Sequence, residues 1–94
     1  MYAIFFTNQA RRLFKKLPQD VQDKSKTKAR ALDQNPLAGE PLQGSYGQYR
    51  SLHVSFKGVA YRTIYQVLSK ANSIVIVLAD KRENLYKRLQ EMKL

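Results

Sequence analysis

The sequence has no cysteine and a single histidine, His53. The first absence excludes a disulfide framework, a thiolate metal site and a cysteine nucleophile. The second leaves a zinc centre dependent on an unusual number of carboxylates, so neither a metal nor any other cofactor is expected. Acidic residues are also scarce: seven against 17 lysines and arginines, a net charge of +10 on 94 residues. A field of that sign attracts polyanions, which narrows the partners to nucleic acid, an anionic membrane surface or an acidic protein. Long hydrophobic runs are missing too. The longest, residues 74–79, falls far short of the roughly 20 residues that span a bilayer, and no membrane-crossing segment is expected. The stretch 2–6 runs straight into Thr7-Asn8-Gln9 with no basic residue in front. That is unlike a secretory signal, and the cytoplasm is the expected compartment.

Leu, Ile, Val and Phe make up 25 of the 94 residues, above the roughly 20% below which a highly charged chain stays disordered. A chain of this length supports one small core, so residues 1–94 read as a single domain. No internal repeat and no low-complexity tail interrupts it. Residues 2–7 are short, aromatic and free of Gly and Pro, the pattern of a strand. Asn8 is placed to cap a helix over 9–16, in which Leu13, Phe14 and Leu17 share a face while Arg11, Arg12, Lys15 and Lys16 take the others. Pro18 breaks that helix and suits the first turn of a second one, whose positive end Asp20 and Asp23 complement. Val21 and Leu32 carry the helical period to about Gln34, where Asn35-Pro36 stops it. The two helices are expected to form a hairpin.

Residues 35–47 hold two prolines and three glycines and read as one long loop. From 48 to 55 the chain alternates, with Leu52 and Val54 on one face and Tyr49, Ser51 and His53 on the other, as a half-buried strand requires. Lys57-Gly58 marks a turn, 59–68 is rich in β-branched and aromatic residues, and Ser69-Lys70-Ala71-Asn72 leads into the strand 74–79. That strand has no polar face and should be covered on both sides. Asp80 can cap a last helix over 83–92, with Leu85 and Leu89 on one face and Tyr86 beside them. The order β-α-α-β-β-β-α predicts an α+β fold: an antiparallel β-sheet with an N-terminal helical hairpin, the helices lying against one face. The other face, which carries His53, is left as a candidate basic cleft.

Three segments put cations and aromatics where a small domain normally places cheaper residues: Tyr49-Arg50-Ser51-Leu52-His53-Val54, Tyr61-Arg62-Thr63-Ile64-Tyr65 and Asp80-Lys81-Arg82-Glu83-Asn84-Leu85-Tyr86. On adjacent strands they converge on one area. An arginine in a central strand is costly to desolvate unless it is paired or kept wet at a groove. Arg62 therefore has either an ion pair with Asp80 or Glu83, or, together with Arg82, a phosphate to clamp, since guanidinium groups match phosphate oxygens bidentately. His53 is either a solvated imidazole or a proton-transfer group whose ordinary pKa near 6.5 suits that work. Tyr86 is either core or a ring free to stack on a base. The run Arg11, Arg12, Lys15, Lys16, Lys24, Lys26, Lys28 and Arg30 is either a solvated helical face or a polyanion footprint.

These segments resemble the RelE/ParE superfamily of type II toxin–antitoxin toxins. The most specific pieces are Gly58-Val59-Ala60-Tyr61-Arg62-Thr63-Ile64-Tyr65-Gln66-Val67, Lys81-Arg82-Glu83-Asn84-Leu85-Tyr86 and the loop Asn35-Pro36-Leu37-Ala38-Gly39-Glu40-Pro41-Leu42. For the RelE-like branch the resemblance implies metal-independent cleavage of mRNA, commonly on the ribosome, with a cognate antitoxin as partner. It places Arg62 and Arg82 on the family's two phosphate-binding, catalytic arginines and Tyr86 near its base-stacking tyrosine, here closer to Arg82 than in RelE itself. His53 stands where RelE-like toxins often carry lysine or arginine, and Ser51 replaces another basic residue. Glu40 aligns with a loop glutamate that is the general base in the YoeB-like branch. The catalytic set is accordingly Arg62, Arg82, His53, Tyr86 and Glu40, with His53 or Glu40 as base and Tyr86 or Arg82 near the leaving oxygen. Arg50, Ser51 and Lys81 are assigned to substrate binding. The ParE branch shares the scaffold and implies poisoning of DNA gyrase without RNA cleavage, and a non-catalytic basic RNA-binding module is the third reading.

Overall fold

A computed structural model describes residues 1–92. The apolar and β-branched segments form strands β1 (Ala3–Phe6), β3 (Tyr49–Phe56), β4 (Val59–Leu68) and β5 (Ser73–Lys81), joined by a two-residue strand, β2 (Glu40–Pro41). Helices α1 (Asn8–Lys15) and α2 (Gln19–Arg30) form the expected hairpin, and α3 (Arg82–Met92) follows the last strand. The sheet order is β1-β5-β4-β3-β2. β3, β4 and β5 make the antiparallel meander that their turns demand. β1, by contrast, pairs in parallel with β5, so the sheet is mixed: the helical hairpin is the crossover that returns the chain to the same direction. Tight turns shape the meander, with Lys57 and Gly58 at φ 51° and 77° and Asn72 at φ 48°, conformations that glycine and asparagine tolerate best.

The pleat separates two faces. On one lie Leu52, Tyr65, Ile74 and Ile76, packed with Ala10 of α1 and with Ala29 and Leu32, while Val21, Val54 and Tyr61 extend the same layer. On the other lie Tyr49, Ile64 and Leu78, under Leu85 and Leu89 of α3. The helices therefore cover both faces, where the sequence pattern had placed them on one. The apolar strand β5 is buried on both sides, as its lack of a polar face requires: Ile74, Ile76, Leu78 and Ala79 have no exposed surface. Val77 is an extra residue opposite the step from Ile64 to Tyr65, a bulge that sharpens the local twist.

Two caps differ from the sequence reading. Thr7, not Asn8, is the N-cap of α1, its side chain accepting from the Ala10 N–H at 3.0 Å, because Asn8 already has helical backbone. Asp80 holds the start of α3 through its side chain and not as a main-chain cap, accepting from the N–H of Lys81, which precedes the helix, at 2.7 Å and from Asn84 Nδ2 at 3.3 Å. Arg88 Nε, nearly two turns into α3, donates to the other carboxylate oxygen. Burial alone would raise the Asp80 pKa, but these hydrogen bonds and the Arg88 charge outweigh it and hold the carboxyl below its ordinary value. A depressed carboxyl contributes stability that is present above its unfolded-state pKa and is lost as pH falls through the folded-state one. Asp80→Ala should lower stability at neutral pH by about 1–2 kcal/mol. Denaturant melts at neutral and acidic pH should show that gap closing below the ordinary carboxylate range.

Candidate active site

The face under α3 carries most of the candidate residues. Arg62 sits midway along β4, with His53 of β3 directly opposite on one side and Asp80 of β5 on the other. The ladder thus offers Arg62 a carboxylate, but that carboxylate turns to Arg88, Asn84 and the Lys81 N–H. Arg88–Asp80 is the ion pair found among the described residues. Arg62 does not form the ion pair considered from the sequence, and its Nε is buried without a hydrogen-bond partner. A half-buried guanidinium in this state has its charge unmatched by protein.

Arg62 and Arg82 line the same small cavity, about 60 Å³, with Leu42, Ile64, Leu85, Tyr86 and Leu89. Arg82 is there because β5 runs directly into α3, placing the first helical residue over the end of the sheet. Arg82 and Tyr86 also border a wider hollow of about 550 Å³, with Lys81, Glu83 and the 58–60 turn. Leu85 and Leu89 are 3% exposed whereas Tyr86 is 58% exposed. Tyr86 is therefore not a core residue: it stands on the flank of α3 between the two hollows. The arrangement is two guanidinium groups over an apolar floor with an aromatic ring at the mouth. Low-polarity walls strengthen the interaction of such charges with an anion.

His53 is exposed beside Arg62 on this face, and its main-chain carbonyl accepts from Lys28 Nζ of α2. Glu40, also exposed, pairs with Ser51 across β2 and β3 and so shares the face. Glu40 and His53 are diagonal neighbours across this ladder, His53 lying two residues beyond the partner of Glu40. Neither residue lines the cavity; both flank it on the β3 side. Among the described residues no three His, Asp or Glu side chains gather to hold a metal ion.

The sequence matches the family described as ParE-like toxin of type II bacterial toxin–antitoxin system over residues 4–90. The chain belongs to that family. A chain of the Mycobacterium tuberculosis RelBE2 toxin–antitoxin complex is 30% identical, with TM-score 0.71 over 86% of this toxin and 98% of that chain. The free E. coli toxin RelE, as a double arginine-to-alanine mutant, is 19% identical, with TM-score 0.80 over 99% and 98%. A chain of the intact E. coli RelBE complex is 22% identical, with TM-score 0.67 over 86% and 96%. A search of curated proteins finds no match. The resemblance to the RelE/ParE superfamily is thereby borne out, and the two E. coli likenesses speak for the fold. No helix of the described residues is long and apolar enough to cross a membrane.

Three remaining residues of the toxin's expected substrate surface fall in different places. Lys81 ends β5, exposed on the wall of the wider hollow. Ser51 is only 5% exposed, and its Oγ, like Arg62 Nε, is buried without a partner. It lies beneath the site rather than on its surface. Arg50 faces the other way: it pairs with Tyr65, and its guanidinium donates to the carbonyl oxygens of Gly39 at 2.7 Å and Leu37 at 3.3 Å. Alternation along β3 thus puts residue 50 with Leu52 on the hairpin face, and the structure does not bring Arg50 together with Arg62 and Arg82. Leu42, a wall of the cavity, enters the sequence analysis only as the end of the 35–42 loop and not as a site residue, because that loop has no periodicity. Its only local signal is the neighbouring Glu40-Pro41.

Because Arg62 has no ion-pair partner among the described residues and its Nε is unbonded, it contributes little to holding the toxin together. Arg62→Met, which keeps the aliphatic stem, should shift stability by less than about 1 kcal/mol. A thermal melt showing a loss of several kcal/mol would mean that the guanidinium has a structural partner after all.

Proposed function

We propose that this toxin is an endoribonuclease that cuts mRNA, on translating ribosomes, by attack of a ribose 2′-hydroxyl on the adjacent phosphate. The observation that carries this reading is the unpaired, half-buried Arg62 sharing a cavity with Arg82 and Tyr86. Two guanidinium groups lining one cavity are suited to the charge that builds on a pentacoordinate phosphorus. A base takes the 2′-hydroxyl proton, O2′ bonds to phosphorus, and the 5′-oxygen leaves with a proton, giving a cyclic phosphate and a free 5′-hydroxyl. His53, beside Arg62, and Glu40, across β3, are the candidate bases. Tyr86 stacks on a base of the RNA at the mouth, and its phenol or Arg82 serves the leaving oxygen. Lys81 meets a neighbouring phosphate. The likeness to RelE toxins supports this reading, and cytoplasmic action follows from it.

The ParE-like description of the matched family favours a second reading, in which the same fold acts on DNA gyrase. Mapping RNA 5′ ends within minutes of induction in a bacterial host separates the two. Discrete cuts within translated frames are expected; intact mRNA with DNA damage would transfer the toxin to the gyrase reading. Arg62→Ala and Arg82→Ala should each lower cleavage by about 10²–10³. Of His53→Gln and Glu40→Gln, the variant with the larger loss identifies the base.

A cognate antitoxin is the second part of the proposal. Several related structures are toxin–antitoxin complexes, and a surface of +10 net charge favours an acidic segment that folds on binding. Such a segment either lies along Arg11, Arg12, Lys15 and Lys16 or displaces α3 and with it Tyr86. Co-expression with the neighbouring reading frame should yield a complex that survives purification at raised salt. A chain that purifies alone and is harmless to its host would count against the toxin being neutralised this way.

A further inference from the structure

The second tyrosine of the Tyr61-Arg62-Thr63-Ile64-Tyr65 strand has no place in the chemistry above. Tyr65 has no exposed surface and points to the hairpin face, away from the cavity. Its hydroxyl is nevertheless fully used: it accepts from the Gly39 N–H at 2.9 Å and donates to the Pro36 carbonyl at 2.8 Å. Beside it, Arg50 donates to the Gly39 and Leu37 carbonyls. Two core-anchored side chains therefore make four hydrogen bonds to the main chain of residues 36–39. The fit is close. A Cβ on Gly39 would come within 2.7 Å of the Tyr65 hydroxyl and 2.8 Å of the Ser51 carbonyl oxygen, so only glycine lets the backbone approach this far.

The segment held in this way leads directly into the site. Glu40 and Pro41 pair with Ser51 and Arg50 as β2, and the Leu42 N–H donates to the Tyr49 carbonyl at 3.0 Å. Leu42 is a wall of the Arg62–Arg82 cavity, and Glu40 stands on the same face. A two-residue strand has little cohesion of its own, and Pro41 contributes no N–H to the ladder. What sets the position of Glu40 and Leu42 is thus the anchoring just ahead of them. We propose that Tyr65 and Arg50 are positioning residues that act through the main chain of residues 36–42, from the opposite face of the sheet, to hold Glu40 and Leu42 at the edge of the cleft.

The catalytic half of this inference rests on the ribonuclease reading; the mechanical half does not. The test compares wild type, Tyr65→Phe, Arg50→Met, Glu40→Gln and the Tyr65→Phe/Glu40→Gln double variant. Cleavage of ribosome-bound mRNA is measured with kcat and KM separated, alongside amide exchange of the free protein. Tyr65→Phe should speed exchange in residues 39–42 while leaving that of α1 and α2 unchanged. It should lower kcat by about 10–100-fold with little change in KM, and Arg50→Met should behave alike. In the Glu40→Gln background the further loss should be less than about twofold, the limit expected of groups acting as one unit rather than independently. Equal losses in both backgrounds would overturn the action through Glu40, and unchanged exchange at 39–42 would overturn the positioning itself. If the wild type cuts no RNA, the ribonuclease reading fails. The exchange result alone then decides whether Tyr65 and Arg50 hold the segment.

Discussion

Asp80 stands directly across the ladder from Arg62, and it is Arg88 that occupies it. Much of the molecule follows from this choice of partner. The carboxylate ties together the end of β5, the first turn of α3 and a side chain nearly two turns along that helix, so α3 is pinned where Leu85 and Leu89 can cover the sheet. The same choice leaves the strand arginine without an ion-pair partner among the described residues. Had Asp80 paired with Arg62, the helix would have lost an anchor and the cavity one of its two positive charges together. In a chain with seven acidic residues, the allocation of one carboxylate decides both the packing and the electrostatics.

The two faces of the sheet divide the remaining work. The hairpin face is filled by ordinary apolar contacts among Ala10, Leu32, Leu52, Ile74 and Ile76, which supply cohesion. The α3 face combines a smaller apolar layer with two polar atoms that have no hydrogen-bond partner among the described residues, Ser51 Oγ and Arg62 Nε. Each such atom is a cost to folding. Concentrating them beneath one helix suits a surface that meets a charged ligand, and the hairpin face is what makes the cost bearable.

Alternation and turn chemistry made the meander readable in advance: Leu52 and Val54 against Ser51 and His53, Lys57-Gly58, and the wholly apolar 74–79 stretch each implied one conformation. The hairpin was equally plain from Pro18 and the helical period around it. Two features of the sheet were not readable. The parallel pairing of β1 depends on which edge is vacant after the meander forms, a tertiary matter. β2 is too short to leave a periodic trace. The direction of Arg50 was in principle contained in the alternation that placed Leu52, but its charge drew it into the cleft on paper. The convergence of Arg62, Arg82 and Tyr86 was legible because they lie on successive elements of a simple meander. Leu42, brought in by a loop, was not.

The bond from Lys28 to the His53 carbonyl has a bearing beyond the site. β2 covers β3 only at Arg50 and Ser51, so residues 52–56 have no strand on their outer side. A bare strand margin of this kind is a template for pairing with other chains. α2 runs against β3, and its lysine places a hydrated charge on one of the carbonyls there. Any incoming strand would have to strip that ammonium of water before it could bond. Part of the basic character of α2 thus raises the cost of edge-to-edge pairing along this margin of the sheet.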